Sequence, residues 1–333
     1  MTVHANSKIR TRPCPYCHTC GTKGKLLYKG LQDRLFSAPG EWNLRKCPNS
    51  ECGLVWLDPM PIEEDIGKAY QTYYTHQDNS SDREDWGIKR FLKYGLKKTW
   101  DLFLRVTPIY WERKRLYLMY LGKNKPGRLL EVGCGNGHRL AQFRAMEWQV
   151  EGQEVDLKAA KLARQMYDLK IHLGPVEELR IPDATFDAII MNHVIEHLHH
   201  PEVVLAECHR LLRAGGNLVV VTPNIESFGH RRFGADWREL DPPRHIHIFS
   251  CKTLLEIAHK AGFRQCTLWT TAVNAPGIGM GSLDIRRTGR HIMGARIEPS
   301  LRIVSPLLFQ LWATLIHVTQ KDTGEECVMK AEK

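Results

Sequence analysis

The 333 residues are 43% hydrophobic and 25% charged, a composition that supports two or three packed domains and excludes a disordered, collagen-like or disulfide-stapled chain. Lys plus Arg number 47 against 37 Asp plus Glu, a formal net charge of +10, which favours anionic partners without specifying one. The opening MTVHANSKIRTRPC has no apolar leader, and no run of roughly 18 apolar residues occurs to span a bilayer. The expectation is therefore a cytoplasmic protein whose ten cysteines serve as thiols or metal ligands.

In chain order, the first element is a pair of cysteine knuckles, CPYCHTCG and CPNSECG, about 30 residues apart. A Gly after the last cysteine of each permits a tight turn that aims backbone amides at thiolates. The pairing predicts a structural zinc ribbon over 1–60 held by Cys14, Cys17, Cys47 and Cys52. Cys20 is the leading substitute for Cys14, because two overlapping C-x-x-C frames share Cys17 and only the second is followed directly by Gly. Residues 61–127 read as a basic, aromatic helical linker. From Trp86 to Lys125 eleven Lys/Arg face two acids, with nine aromatics interleaved. That pattern is a helical face packed on the next domain, or a surface for phosphate, anionic lipid or nucleic acid.

From 128 to 333 apolar runs alternate with amphipathic stretches: LLEV then HRLAQFRAM, VEGQEV then LKAAKLARQMY, FDAIIMN then PEVVLAECHRLL, NLVVVT then CKTLLEIAHKAGF. The alternation predicts βαβ units and a doubly wound α/β sheet with its ligand edge at the strand carboxyl ends. RLLEVGCGNGHRL places Gly133, Gly135 and Gly137 between a strand and a helix, where a backbone cradle for a ligand forms. The spacing is G-x-G-x-G, not the G-x-G-x-x-G of a dinucleotide site. A stretch of about fifty residues, 273–324, interrupts the last strand pair. It carries GIGMGS, a basic cluster and the apolar IVSPLLFQLWATLIHV, and reads as a lid, a packing helix, or a shallow membrane contact.

The glycine loop, Glu131 before it, VEGQEVD and NHVIEHL together resemble the class I S-adenosylmethionine-dependent methyltransferases over roughly 128–333. The nearest likeness is to the branch of the ubiquinone-biosynthesis O-methyltransferases, and within it to bacterial members with an N-terminal zinc ribbon, through RKCPNSECGLVWLDPMP…AYQTYY and LDPPRHIHIFS. The resemblance implies a Rossmann-like seven-stranded sheet with its last strand antiparallel, and S-adenosylmethionine as cofactor. It implies that Gly133, Gly135 and Gly137 pass under the amino-acid part, Glu131 fixes the loop, and Glu154 accepts the ribose hydroxyls. Val176 or Glu177 would stand near adenine, and Asn192 beside the methionine moiety. For the acceptor, His245 or His247 would be a general base, with His193 beside them. Alternatively His193, Glu196, His197 and His247 would hold a divalent metal. The expected acceptor is a small molecule, saccharide or lipid-linked intermediate, with an RNA docked by the ribbon and basic segment as the alternative.

Overall fold

The computed structural model describes residues 8–70, 108–291 and 299–333, with the side chains of 108 and 299–307 excepted. Residues 71–107, which hold most of the expected basic aromatic linker, lie outside the described residues. The chain divides into two compact units, 1–73 together with 126–333, and 74–125. Within the second unit, helix α2 (Pro108–Tyr117) follows the short α1 (Glu63–Ile66) of the first, and the Tyr120 hydroxyl donates to Glu112 at 2.6 Å.

The larger unit contains the expected sheet. Strands β6 (Arg128–Val132), β7 (Gln149–Glu154), β8 (Lys170–Leu173), β9 (Phe186–Asn192), β10 (Leu212–Pro223), β12 (Gln265–Thr271) and β13 (Glu326–Glu332) form seven strands in the order β12-β13-β10-β9-β6-β7-β8. The five from β6 to β10 pair in parallel, whereas β13 runs antiparallel between β10 and β12. The fold is the Rossmann-like methyltransferase sheet. Helices α3 (His138–Ala145), α4 (Leu157–Tyr167), α5 (Pro201–Leu211) and α7 (Cys251–Lys260) join its strands. Asp156 caps α4, its carboxylate accepting from Lys158 N at 2.7 Å and Ala159 N at 3.2 Å, which satisfies amides that the first turn leaves open. Two further helices, α8 (Ala275–Thr288) and α9 (Pro299–Thr319), occupy the 273–324 insertion, and the short α6 (Phe228–Phe233) lies beneath them in sequence.

The ribbon is not a body of its own, as a 1–60 domain would be. Beside a short antiparallel pair, β1 (Thr11–Arg12) with β5 (Met60–Pro61), its sheet takes β2 (Lys25–Leu31), β3 (Trp42–Lys46) and β4 (Val55–Leu57) from the N-terminus and β11 (His247–Ile248) from the PPRHIHIF segment, in the order β11-β4-β3-β2. Alternation along β4 explains the fusion. Leu54 and Trp56 enter the core that contains Ile189, Leu205 and Phe249, while Val55 and Leu57 enter a second one with Ile246, Ile248 and Trp237. Successive side chains of a strand point to opposite faces, so one short strand is buried on both. Cys52 carbonyl accepts from the Thr253 hydroxyl, and Thr19 carbonyl from the Lys260 ammonium.

A buried ion cluster completes the junction. Arg244 is 0% exposed; its guanidinium donates to both oxygens of Asp33 at 2.8 Å, to both of Asp241, and to the Ala69 carbonyl at 3.0 Å. It also lies over the Phe36 ring, 4.5 Å from the centroid. A guanidinium with two bidentate carboxylates is what burial of a charge requires.

Candidate functional site

The loop after β6 separates the three glycines by task. All three have positive φ, +66° at Gly133, +54° at Gly135 and +76° at Gly137, a region in which an L side chain is strained. A Cβ on Gly133 would stand 2.5 Å from Val194, and one on Gly137 2.6 Å from Leu169; both glycines permit close packing. A Cβ on Gly135 meets nothing within 4 Å. Only there does bare backbone face open space, the arrangement a ligand can approach.

Two buried carboxylates flank this loop. Glu154, at the end of β7, accepts Gly135 N at 2.7 Å on one oxygen and Val155 N and Asp156 N, both at 2.9 Å, on the other. Burial raises its pKa, partly countered by those amides. Glu131, on β6, is pushed up to about 7 by burial, with the Arg139 guanidinium 3.7 Å away opposing the shift. Its Oε2 finds no hydrogen-bond partner among the described residues. Each carboxylate oxygen accepts about two hydrogen bonds, so Glu154 keeps accepting capacity on the oxygen that meets Gly135 N and Glu131 keeps it on Oε2.

Val176 is placed otherwise than the adenine contact expected of it: its side chain is buried in the main core. Asn192 closes β9, and the next residue, His193, turns the chain at φ +53° with its N–H donating to Val221 O at 2.9 Å. The expected roles of His193 need revision. Its Nε2 lies 2.7 Å from Glu326 and its Nδ1 3.2 Å from Glu196. Burial alone would depress the imidazole, but the two carboxylates hold it well above 6.5. A ring that donates from both nitrogens is an imidazolium, which keeps no lone pair for a further proton. Glu196 is correspondingly held down to about 2 against its burial, chiefly by His193, and also accepts the Thr222 hydroxyl at 2.9 Å. Asn274 donates to both oxygens of Glu326, at 2.9 and 3.0 Å.

His247 is also displaced from the expected site. It is 0% exposed, donates from Nδ1 to Leu198 O at 3.0 Å, and packs against His18 of the ribbon with ring centroids 4.3 Å apart and planes tilted by 51°. Its position on β11 turns it into the ribbon junction, away from Glu196. The set His193, Glu196, His197 and His247 therefore does not form a metal centre. The groups that do meet are Glu196, His197 and His245, whose ligand atoms lie within 4.8 Å of one another. His197 Nδ1 is 2.9 Å from Arg244 O and 3.1 Å from the Tyr70 hydroxyl; His245 Nδ1 is 2.7 Å from Glu239 O. Carbonyls accept only, so each Nδ1 carries the proton and each Nε2 a lone pair. Burial and the neighbouring His245 lower the His197 pKa to about 4. His245 Nε2 faces Glu196 at 4.0 Å and Asp241 at 3.9 Å.

The two imidazoles meet because the PPRHIHIF segment threads between two elements. Ile246 N donates to Glu196 O at 3.0 Å while Leu57 N donates to Ile246 O at 3.0 Å. Sequence reasoning overlooked Glu326, Asn274 and Tyr70 as site groups. The first had a signal: a residue opening an antiparallel last strand stands opposite the carboxyl end of β10, which is the ligand edge.

In the ribbon the structure selects the second knuckle frame. Cys17, Cys20, Cys47 and Cys52 place their sulfurs within 4.8 Å of one another, with Cys17–Cys52 at 3.6 Å and Cys20–Cys47 at 3.4 Å. Tetrahedral Zn–S bonds of about 2.3 Å place sulfurs roughly 3.8 Å apart, so this group could hold such an ion. Cys14 is not part of it. Its amide donates to Asp58 at 2.6 Å, its carbonyl accepts from Trp56 Nε1 at 2.7 Å, and its sulfur faces Tyr16 O at 3.9 Å. Gly21, at φ +72°, closes the turn by donating to Cys17 O at 2.7 Å. Hydrogen bonding from Cys52, aided by the amides of Thr19 and Cys20, brings the Cys17 thiol down to about 5.

A family profile described as a methyltransferase domain matches residues 108–268. A probable S-adenosylmethionine-dependent methyltransferase of Mycolicibacterium smegmatis is 31% identical over 195 residues, covering 57% of this chain and 71% of that protein. The ubiquinone biosynthesis O-methyltransferase of Maricaulis maris is 32% identical over 37% of this chain, which spans about half (51%) of that relative. Among solved structures, a SAM-dependent methyltransferase from Thermotoga maritima aligns with TM-score 0.45 and 22% identity, covering 74% of this chain and 97% of that one.

Proposed function

Because the chain belongs to the S-adenosylmethionine-dependent methyltransferases, we propose that it methylates a hydroxyl of a small-molecule, saccharide or lipid-linked acceptor, using His245, with His197 beside it, to take the hydroxyl proton. Bound S-adenosylmethionine supplies a methyl group on a positively charged sulfur, already a strong electrophile. The residues around the loop fit that cofactor. Gly135 leaves open space for it, the unpartnered Glu131 oxygen suits its ammonium group, and Glu154 suits its ribose hydroxyls. The chain then has to orient an acceptor and remove one proton.

The observation that carries the base assignment is the pair of Nδ1–H groups committed to carbonyls, which presents two Nε2 lone pairs at the edge where β9 and β10 end. Glu196 and Asp241, about 4 Å from His245 Nε2, stabilise the imidazolium formed on proton uptake. His193, locked between Glu196 and Glu326, fixes the orientation of Glu196. Zinc in the Cys17, Cys20, Cys47 and Cys52 group would have no open coordination position, so its role would be to hold the ribbon against the sheet and β11.

The test is transfer of a labelled methyl group into an extract of cells lacking the protein, partitioned into small molecules, lipid, RNA and protein. Label in the small-molecule or lipid fraction supports the proposal, and label in RNA replaces it with the nucleic-acid alternative. With the acceptor in hand, His245→Ala should lower kcat by roughly 100-fold or more while cofactor affinity stays unchanged. Full turnover by that variant would remove the base assignment.

A further inference from the structure

Over the described side chains, 308–319, helix α9 is docked by one face. Phe309 stacks on Phe228 with ring centroids 5.3 Å apart, Ala313 is buried, and Gln310 Nε2 donates to Ala272 O at 3.0 Å. On the other face Leu308, Leu311, Trp312, Leu315 and Val318 are between 50% and 70% exposed. Their spacing of three and four residues makes one continuous stripe, and contiguous apolar surface of this kind marks an interaction site. The helix contains no Asp or Glu over its 21 residues. Exposed cations stand beside it: Arg231 donates to Gln320 at 3.2 Å just past its end, Lys321 follows, and Arg232 lies over Phe233, whose ring is 5.5 Å from Phe309.

We propose that the outer face of α9 is a docking surface for an anionic lipid bilayer, with the Leu/Trp stripe entering the interface and Arg231, Arg232 and Lys321 meeting lipid phosphates. Apolar residues around a central Trp, rimmed by cations, are what an in-plane amphipathic helix requires. At about 1.5 Å per residue the helix is roughly 30 Å long, but with one face held by the protein it lies along the surface; no helix among the described residues is long and apolar enough to cross a membrane. A second copy of the chain is the lesser fit. The helix carries no acidic residue, so a second copy offers the flanking cations no complementary charge, whereas an anionic bilayer does. The surface is independent of the acceptor assignment, since it involves none of the groups around His245.

The test is co-sedimentation of the full chain, without cofactor or acceptor, with vesicles of phosphatidylcholine alone and of phosphatidylcholine with one quarter phosphatidylglycerol. The expected result is binding to the anionic vesicles, weakened at least tenfold in Leu311→Ser/Leu315→Ser. Arg231→Gln/Lys321→Gln should weaken it by roughly fivefold per charge at low salt, with that loss absent on neutral vesicles. Both variants should keep the metal content and cofactor affinity of the parent. If the double serine variant does not fold, quenching by brominated lipid serves instead: the wild type should be quenched and Trp312→Phe should lack that component. Absence of wild-type binding, equal binding by the serine variant, or a concentration-dependent dimer that the serine variant abolishes would overturn the proposal.

Discussion

Replacing Arg244 with Met removes a guanidinium from a site with no access to solvent and leaves Asp33 and Asp241 buried without their partner. Removing one member of a buried ion cluster costs about 3–5 kcal/mol. Here the lower part of that range applies to Asp33, because it still accepts Leu35 N and Phe36 N at 2.9 Å and Ala38 N at 2.7 Å. The contact between guanidinium and Phe36 adds about 1–2 kcal/mol when desolvated, of which a Met sulfur recovers about half. The expected loss is therefore about 3–4 kcal/mol at pH 7, a large share of the roughly 5–15 kcal/mol of a typical domain. Chemical unfolding of the metal-loaded chain measures it. The pH dependence gives a second reading. In the parent, Arg244 holds the Asp33 carboxyl below its usual value against burial, so the stabilisation is present above the unfolded pKa of about 3.9 and is lost as pH falls through the folded one. Without Arg244 the Asp33 carboxylate becomes easier to protonate, and the variant regains stability on acidification. The gap between parent and variant should narrow from pH 7 toward pH 4. A loss under 1 kcal/mol, or a gap that widens in acid, would refute this account of the junction.

Cys20→Ser should reduce bound zinc to well under half an ion per chain by elemental analysis, whereas Cys14→Ser should retain it. Glu154→Ala should weaken S-adenosylmethionine binding by about 10- to 100-fold in calorimetry, the magnitude expected for hydrogen bonds to a charged acceptor. His193 is raised above its ordinary pKa in the folded chain, so its stabilisation is fully present below about pH 6.5 and lost as pH rises through the folded value. Thermal stability should fall on the alkaline side in the parent, and His193→Gln should flatten that decline.

The segment from Asp241 to Phe249 joins structure to chemistry. Arg244 ties the ribbon to the sheet by side chain, Ile246 does so by backbone, and His245 between them presents its Nε2 beside Glu196. Loss of ribbon order should therefore reach the proposed base directly.

The amino-acid sequence by itself determined the groups whose placement is local. The glycines, Glu131 and Glu154 lie on consecutive strand, loop and helix elements, and the short-range geometry of a strand-to-helix turn fixes where they point. Hydrophobic periodicity likewise located β6, β9 and β10 and the helices between them, and the insertion before the last strand. Only the tertiary structure decided the groups that meet across long separations. Cys14 and Cys20 are equivalent by spacing, and the choice rests on Asp58 and Trp56 engaging Cys14 from more than forty residues away. Three of the histidines in NHVIEHL and PPRHIHIF, all candidates by composition, divide into an imidazolium between Glu196 and Glu326, a neutral imidazole whose Nδ1 donates to Arg244 O, and a junction residue packed on the ribbon. A protonation state is set by whichever carboxylate or carbonyl the fold brings within about 3 Å, and, Glu196 beside His193 apart, those neighbours lie more than forty residues away in the chain.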